Sequence, residues 1–444
     1  MTIKNWVKKK EKSQKKVIMF SHVDDIRIVD TILVDGIPQF VVSERDGGAI
    51  CFEESFSVHS DIFYPIERTS SFIKSGALLL PTGIQSYESL KDLLWAIKEY
   101  VYKYVDTSEQ FMKIVPYYIL LTYVYDNFPE IPYLRVIGDY GSGKSRFMRV
   151  VGSVCYSPII TNGWTSVPAI FRMIEKIKGT LILDEADFPF SDTTSDIIKI
   201  LNNGFQKGNP IMRADGENFE PRAYDVYCPK IIGGRMEFKD KATESRCISE
   251  IMRRTMRTDI PLNLGKDFDN ESESLRNKLY KFRYDYFDQI PLIQERIAWL
   301  EGRLNQILNP ILSIIQFIGN TEDYNSIIKY FLSRQKEIRD DRKLSIEGMI
   351  FFIIKEKEGT RNISYSDILA EMRLLDYTSN LNPRKLGSLL KQFEIKTIRK
   401  NTGFMIDVTD NKEKLKQIYH TFDLTGDTQW KNEPLLDIAD DIFK

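Results

Sequence analysis

The chain has 444 residues, of which 42% are hydrophobic, a length and composition typical of two or three soluble domains. Its formal net charge is −1, so any contact with nucleic acid must come from local basic patches. The four cysteines include no C-x-x-C pair and the three histidines lie far from them, which predicts neither a disulfide framework nor a zinc site, and favours a reducing cytoplasm. Apolar runs of about twelve residues predict no membrane span.

The first 84 residues are predicted to form a basic arm and a small β-rich domain. Residues 1–16 carry seven lysines, a pattern typical of a solvated tail or of an arm that contacts phosphates. In residues 17–84, β-rich runs are separated by the pairs Asp35-Gly36 and Asp46-Gly47, which are hairpin turn signals. The purpose of this domain does not follow from its sequence.

Residues 85–260 are predicted to form a nucleotide-binding core that begins with two helices. Residues 138–145, GDYGSGKS, fit the pattern G-x-x-x-x-G-K-[ST] between a strand-like run and a predicted helix. Such a loop turns backbone N–H groups toward a polyphosphate, while its lysine approaches the β and γ phosphates and its serine can ligate Mg²⁺. A glycine-rich turn that matches by chance is the alternative. The predicted nucleotide-binding residues are Gly138, Gly141, Ser142, Gly143, Lys144 and Ser145.

A second buried strand, at residues 179–183, ends in two carboxylates. This position predicts Asp184 as a Mg²⁺ ligand and Glu185 as the residue that orients an attacking water. An ordinary acidic strand end is the alternative. Asp187 completes a D-E-A-D string, but the rest of that helicase motif set is not evident, so Asp187 is interpreted as structural.

Residues 210–219 are predicted to form two short strands around an Asp-Gly turn. Lys207, Arg213 and Arg222 flank this hairpin and are candidate contacts to DNA phosphates. Asp215 and Glu217 at its tip would repel a DNA backbone, so a DNA-gripping hairpin and a structural one are equal alternatives.

Arg246 precedes a further apolar run. An arginine at this position can reach the γ-phosphate held by a neighbouring subunit, and the alternative is a surface ion pair. Residues 261–340 are predicted to form a helical lid and linker.

Residues 341–420 are predicted to form a winged-helix domain, with three helices followed by two strands. The third helix of such a domain can enter a major groove while the wing meets the backbone, and protein binding is the alternative. The predicted DNA contacts are Arg384, Lys385, Lys391, Arg399 and Lys400. Residues 421–444 form an acidic tail, interpreted as a solvated end or a docking segment.

These motifs together resemble the AAA+ ATPase module of plasmid, phage and mobile-element replication helicases. Among these, the chain is most similar to the MCM-like initiator helicases of staphylococcal cassette and pathogenicity-island elements. The resemblance covers roughly residues 85–320. It rests on the P-loop, the acidic strand, and the segments 132–134, 169–172, 201–204, 228–234 and 245–248.

The resemblance implies a ring, most simply a hexamer, that binds ATP between subunits with Arg246 acting in trans. It also implies that Arg303 is the sensor arginine of the lid, while a helix-surface charge is the alternative. The sensor asparagine usual in the family is not evident, because residues 231–235 are Ile-Ile-Gly-Gly-Arg.

The predicted fold class is α/β, with an AAA+ P-loop core, a helical lid, a small N-terminal β domain and a C-terminal winged helix. The predicted function is an ATP-dependent DNA helicase or replication initiator of a mobile element, with ATP and Mg²⁺ as cofactors and DNA, other copies of the chain and replication proteins as partners. One alternative is an AAA+ regulator or remodeller, and another is a nucleotide-gated DNA-binding switch. No primase carboxylate cluster stands out, so no polymerising activity is expected.

Overall fold

The computed structural model describes residues 17–45, 49–161, 165–185, 192–215, 220–294, 296–297, 300–375, 381–401 and 403–424. The predicted basic arm, Asp187, Glu217 at the hairpin tip and most of the acidic tail lie outside these ranges. The chain divides into a larger unit, Met1–Ile297 with Gly302–Ile327, and a smaller one built mainly of Ile328–Ile438. None of the helices in the described ranges combines the length and apolar character needed to cross a bilayer.

The N-terminal region of the larger unit consists of short strands in two sheets. They are β1 (Val17–Ile18), β2 (Ser21–Val23), β3 (Arg27–Val34), β4 (Ile37–Glu44), β5 (Ile50–Glu53), β6 (Phe56–Val58) and β7 (Asp61–Tyr64). Strands β2-β3-β4-β5 form one sheet and β1-β7-β6 form the other. The β3–β4 turn has Asp35 at φ 50° and Gly36 at φ 73°, the positive angles that a tight hairpin turn requires.

The rest of the larger unit is built around a parallel sheet. Its elements before the last strand are helices α1 (Ser71–Lys74), α2 (Leu90–Tyr104) and α3 (Glu109–Val124), strand β8 (Tyr133–Ile137), helix α4 (Lys144–Ser153), strand β9 (Ile159–Thr161), helix α5 (Val167–Ile177), strand β10 (Leu181–Leu183), helix α6 (Asp192–Asn203), strands β11 (Ile211–Asp215), β12 (Glu220–Tyr224) and β13 (Lys230–Gly234), and helix α7 (Lys241–Glu244). The last strand is β14 (Cys247–Ile251), and helices α8 (Lys266–Tyr286) and α9 (Gly302–Ile318) follow it. Helix α10 (Thr321–Lys343) begins in the larger unit and belongs mainly to the smaller one.

The five sheet strands lie in the order β14-β8-β13-β10-β9, and every neighbouring pair is parallel. Strands β8, β10 and β13 are buried at every position, as expected for a parallel sheet covered on both faces. The predicted mixed α/β class is therefore confirmed at the level of a five-stranded parallel sheet with helices. Strands β11 and β12 form a separate antiparallel hairpin, whose second strand begins later than the sequence pattern predicts.

A buried polar network joins the N-terminal sheets to the core. Arg283 of α8 binds Asp30 of β3 at 3.2 Å and forms a two-pronged ion pair with Asp126 at 3.0 and 2.9 Å. The hydroxyls of Tyr156 and Tyr284 also donate to the Asp30 carboxylate. Arg283 and Asp30 are 1% and 2% exposed at their side chains, so each charge depends on these partners in place of water.

The smaller unit contains helices and a three-stranded antiparallel sheet. Its elements are α11 (Ile346–Glu356), β15 (Asn362–Ser364), α12 (Tyr365–Leu374), α13 (Pro383–Gln392), β16 (Thr397–Lys400), β17 (Gly403–Asp407) and α14 (Lys412–Thr421). Ser345, Ser364 and Asn382 cap helices α11 to α13 by accepting backbone N–H bonds, which fixes where each helix begins. The sequence pattern predicts β16 and β17 but not β15, which completes the sheet order β15-β17-β16.

Candidate nucleotide-binding site

The carboxyl ends of four sheet strands meet at one edge of the parallel sheet. Strand β8 leads into the P-loop, β10 into Asp184 and Glu185, β13 into Arg235, and β14 into Met252. Ligands of open parallel sheets bind in the crevice at this edge. A cavity of about 280 Å³ lies there. It is lined by residues 140–146 of the P-loop and first helical turn, by Asp184 and Glu185, and by residues 233–235.

The P-loop has the backbone that a phosphate site needs. Gly141 and Gly143 have φ values of 73° and 93°, a left-handed conformation that costs glycine little. Gly143 is also the residue that precedes helix α4, which begins at Lys144. The free N–H groups and positive dipole end of α4 therefore face the cavity.

Lys144 contacts the loop from which it projects. Its Nζ donates to the carbonyl oxygens of Gly138 and Asp139, the latter at 2.8 Å, and lies 3.5 Å from Ser142 Oγ. These three partners are neutral oxygens of the loop. A phosphate oxygen would offer a stronger, charge-assisted bond in the same cavity.

The two predicted carboxylates lie across the cavity from the loop. Asp184 Oδ1 accepts the N–H of Glu185 at 2.8 Å, which orients the Asp184 carboxylate at the strand end. Glu185 has φ 55°, a left-handed conformation that is rare outside glycine and is found at functional sites. A Cβ on Gly233 would stand 2.6 Å from Met148 Cε and 3.3 Å from Asp184 Oδ1, so glycine there leaves room for the carboxylate.

The donors in this cavity fit Mg²⁺. Ser145 supplies a hydroxyl and Asp184 a carboxylate to the lining of the same cavity. Mg²⁺ is usually held by one or two carboxylates together with water and substrate phosphates. This oxygen set is suited to that ion and lacks the thiolate or imidazole ligands that zinc prefers.

Two arginines near the P-loop were not predicted. Arg235 lies with its Cζ 4.2 Å from the centre of the Tyr140 ring, and its guanidinium donates to the Tyr140 hydroxyl. Arg254, beyond the end of β14, lies 3.8 Å from the position of a Cβ on Gly141. The only sequence signal for Arg235 is its place directly after a buried apolar run.

Arg246 and Arg303 lie together at the other end of the sheet. Their Cζ atoms are 5.6 and 5.3 Å from the ring centre of Phe205. Arg246 precedes β14, which pairs in parallel with β8 from Tyr133 onward. The five residues of β8 place this end about 16 Å from the P-loop at ~3.3 Å per residue. Arg303 does not line the P-loop cavity, and its role as a nucleotide-binding sensor arginine stays a prediction.

The arginine pair is partly desolvated. Burial, and after it the charge of Arg303, lowers the pKa of Arg246. Burial also raises the pKa of Glu130, while the two arginines act against that rise. Arg246 Nε is buried without a hydrogen-bond partner among the described atoms. Two guanidinium groups beside one partly buried carboxylate leave excess positive charge, which suits an incoming anion.

The basic residues of the β11–β12 hairpin are engaged within the protein. Arg213 forms an ion pair with Asp196 of α6 at 3.1 Å, and Arg222 forms one with Glu175 of α5 at 2.9 Å. Lys207 donates to the carbonyl oxygen of Asp126, and burial lowers its pKa.

The basic residues predicted as DNA contacts in the smaller unit are exposed. Arg384, Lys385 and Lys391 lie on helix α13, and Arg399 and Lys400 lie on strand β16. Arg399 also lies 5.7 Å from the ring centre of Phe404, an exposed aromatic residue of β17. The five side chains thus belong to one helix and one hairpin, and all are available to solvent.

No protein-family model matches the sequence, and no curated protein matches it. Solved structures are similar at low identity, and three examples follow. The apo C-terminal region of NrS-1 shares 9% identity at a TM-score of 0.38, over 85% of this chain and 96% of that chain. The active helicase SCCmec type IV Cch shares 12% at 0.40, over 91% and 96%. The JCV helicase shares 12% at 0.26, over 59% and 64%. Similarity at this level leaves the function to be argued from the site.

Proposed function

We propose that the protein is an AAA+ ATPase that acts as a DNA helicase or replication initiator of a mobile genetic element. The observation that carries this proposal is that the P-loop, Asp184 and Glu185 line the same cavity. A phosphate-binding loop opposite a metal-binding acid and a second carboxylate is the arrangement that nucleotide hydrolysis requires. The five-stranded parallel sheet beneath it supports the same class.

Each side chain in the cavity has a separate role in the proposed hydrolysis. Lys144 leaves its loop carbonyls to bind the β and γ phosphates, while the N-terminus of α4 receives the phosphate charge. Ser145 and Asp184 would hold Mg²⁺, which neutralises charge that develops on the phosphate oxygens. Glu185 accepts a proton from, or orients, the water that attacks the γ phosphorus in line with the leaving oxygen.

Arg246 cannot serve the P-loop of its own chain across the length of β8, which supports its action on a neighbouring subunit. A ring joined head to tail brings one surface of each subunit against a different surface of the next. In this arrangement, Arg246 with Arg303 beside it supplies positive charge to the adjacent γ-phosphate, and the hexamer follows from the family resemblance. A desolvated arginine is effective in this role because low dielectric strengthens its attraction for phosphate.

Contact with DNA is assigned to the smaller unit, which we interpret as a winged helix. Its exposed Arg384, Lys385 and Lys391 on α13, and Arg399 and Lys400 on the adjoining hairpin, supply the local positive charge that the near-neutral chain otherwise lacks. Such contacts neutralise phosphates and position the protein on nucleic acid.

An AAA+ regulator or remodeller is the second candidate. It is favoured by the ion pairs of Arg213 and Arg222 with acidic side chains, because a hairpin that grips DNA needs these guanidinium groups free. In that case the smaller unit binds DNA or a partner while the ATPase acts on protein.

The test is the steady-state ATPase rate with and without single-stranded DNA. We expect DNA to raise the rate several-fold, and we expect Lys144→Ala and Glu185→Gln to lower it by about 10²-fold or more. Glu88→Gln, an exposed change outside the cavity, is the matched control and should keep the wild-type rate. A rate that DNA leaves unchanged but a protein partner raises would favour the regulator. Absence of hydrolysis in the wild type would overturn both candidates.

A further inference from the structure

The β16–β17 hairpin of the smaller unit presents an aromatic ring to solvent. Phe404 of β17 is 47% exposed. It stands two residues before Ile406, which is buried in the core of this unit, and alternate residues of a strand lie on the same face. The face that forms the core at Ile406 therefore continues outward to Phe404, where it becomes accessible to solvent.

The ring of Phe404 is supported from inside the unit. The ring of Tyr365, which is only 6% exposed, stacks on it with the ring centres 5.7 Å apart and the planes 30° apart. Tyr365 in turn lies against helix α13, because a Cβ on Gly387 would stand 3.5 Å from its ring and its hydroxyl. A side chain that is already fixed by packing loses little conformational freedom when a ligand binds to it. Phe404 thus offers an exposed ring in a fixed position.

Positive charge accompanies this ring. Arg399 is the partner of Phe404 in the hairpin register, and its Cζ lies 5.7 Å from the ring centre. The next pair in the register is Lys400 with Gly403. Helix α13 and strand β16 together carry five basic residues and no acidic one. A polyanion is therefore the class of ligand that this region attracts.

We propose that Phe404 stacks on an unpaired base of single-stranded DNA while Arg399 and Lys400 bind the phosphates beside it. Proteins that hold single strands combine basic residues along the backbone with aromatic rings on which bases stack. The bases of an intact duplex are stacked on one another and are not accessible to such a ring. The hairpin therefore binds single-stranded DNA in preference to duplex DNA. This inference rests on the proposed function, because it assumes that the smaller unit binds DNA.

The experiment measures how tightly the full chain binds a labelled single-stranded oligonucleotide and the duplex of the same sequence over a range of salt concentrations. Phe404→Ala is expected to weaken single-strand binding by about 5- to 100-fold, the loss of one base stack, and duplex binding by less than about twofold. Its salt dependence should stay that of the wild type, because no charge is removed. Arg399→Ala should instead reduce the salt slope by about one phosphate contact.

Two further variants separate stacking from packing. Phe404→Tyr keeps the ring and should bind the single strand like the wild type. Phe404→Leu keeps an apolar side chain against Tyr365 but has no ring, and should lose most of the affinity that Phe404→Ala loses. Its result stands even if the alanine variant is destabilised. Phe352→Ala removes an exposed ring of α11 and is the matched control, which should leave both affinities unchanged.

The outcomes separate this inference from the proposed function. Wild-type single-strand binding by Phe404→Leu, or equal loss of single-strand and duplex binding in that variant, would overturn the inference. If this occurs while DNA still stimulates ATP hydrolysis by the wild type, only the inference fails. If the wild type hydrolyses no ATP but the Phe404 variants lose single-strand binding selectively, the proposed function fails and the stacking role stands. If the full chain binds no DNA, the inference and the helicase assignment fail together.

Discussion

Glu185 combines an unfavourable backbone with the role of catalytic base that we propose for it. Its φ of 55° places a bulky residue in the left-handed region, which costs roughly 1–2 kcal/mol for a residue with a side chain. Strain of this kind persists only where the surrounding structure imposes it. Here the N–H bond to Asp184 and the end of the buried strand β10 fix the backbone, so the carboxylate is held at the cavity.

Glu185→Gly should therefore raise stability while it removes activity. Relief of the left-handed strain, offset by about 0.5–1 kcal/mol for the flexibility of glycine in the unfolded chain, should increase the free energy of unfolding by roughly 1 kcal/mol. Denaturant unfolding measures this change, and the ATPase rate measures the loss of the carboxylate. Glu185→Gln, which keeps a Cβ, should lose activity with no gain in stability. A Gly variant less stable than the Gln variant would show that the strain is not stored at this residue.

The sequence could predict those site residues that belong to short, continuous segments of the chain. Residues 138–145 and the acidic strand end are recognisable because loop, strand and helix follow one another directly in the chain. Arg235 and Tyr140 are ninety-five positions apart. Their contact depends on β13 lying between β8 and β10, and no local pattern specifies the order of strands in a sheet. For the same reason, no local pattern shows that Arg303 lies beside Arg246 at the ring of Phe205.

At the scale of elements, local signals predicted most helices and missed several short strands, among them β9, β14 and β15. The helices of the smaller unit begin at Ser and Asn caps that the sequence displays. Strand β15 has only three residues, and its last residue is also the N-cap of α12. A segment so short carries no alternation from which a strand can be recognised, and its pairing with β17 is a tertiary contact.

The joint between the N-terminal sheets and helix α8 should be sensitive to a single buried charge. Asp30→Asn leaves Arg283 buried with one carboxylate partner and disturbs the bonds from Tyr156 and Tyr284. Removal of one partner from a buried ion pair costs about 3–5 kcal/mol, so the unfolding temperature should fall markedly. Asp61→Asn, an exposed change in β7 of the same region, is the control and should have little effect. Equal stability of the two variants would contradict a structural role for the network.

At the scale of the whole molecule, the separation of Arg246 from its own P-loop predicts that inactive variants will complement each other. In an equal mixture of Lys144→Ala and Arg246→Ala, about a quarter of randomly formed interfaces contain an intact P-loop and an intact arginine. We expect a corresponding part of the wild-type ATPase rate to return after the two proteins are mixed and allowed to exchange subunits.

The matched control is a mixture of Lys144→Ala and Glu185→Gln. Lys144 and Glu185 line the same cavity of one chain, so every subunit in this mixture has an incomplete cavity. No interface regains a complete site, even though every subunit keeps Arg246. This mixture should remain inactive. Recovery in the control, or none in the first mixture, would contradict a site shared between subunits.

The buried network around Arg283 also limits where the gene can be cut. A truncation that begins at residue 85, the predicted start of the ATPase core, would remove Asp30 and leave Tyr156, Tyr284 and Arg283 facing water across a formerly buried surface. It would also remove the backbone bond from Ile160 to Ala77 at the edge of the parallel sheet. The N-terminal strands are thus part of the same folding unit as the P-loop core, and recombination that exchanges them between related genes would have to carry helix α8 along with them.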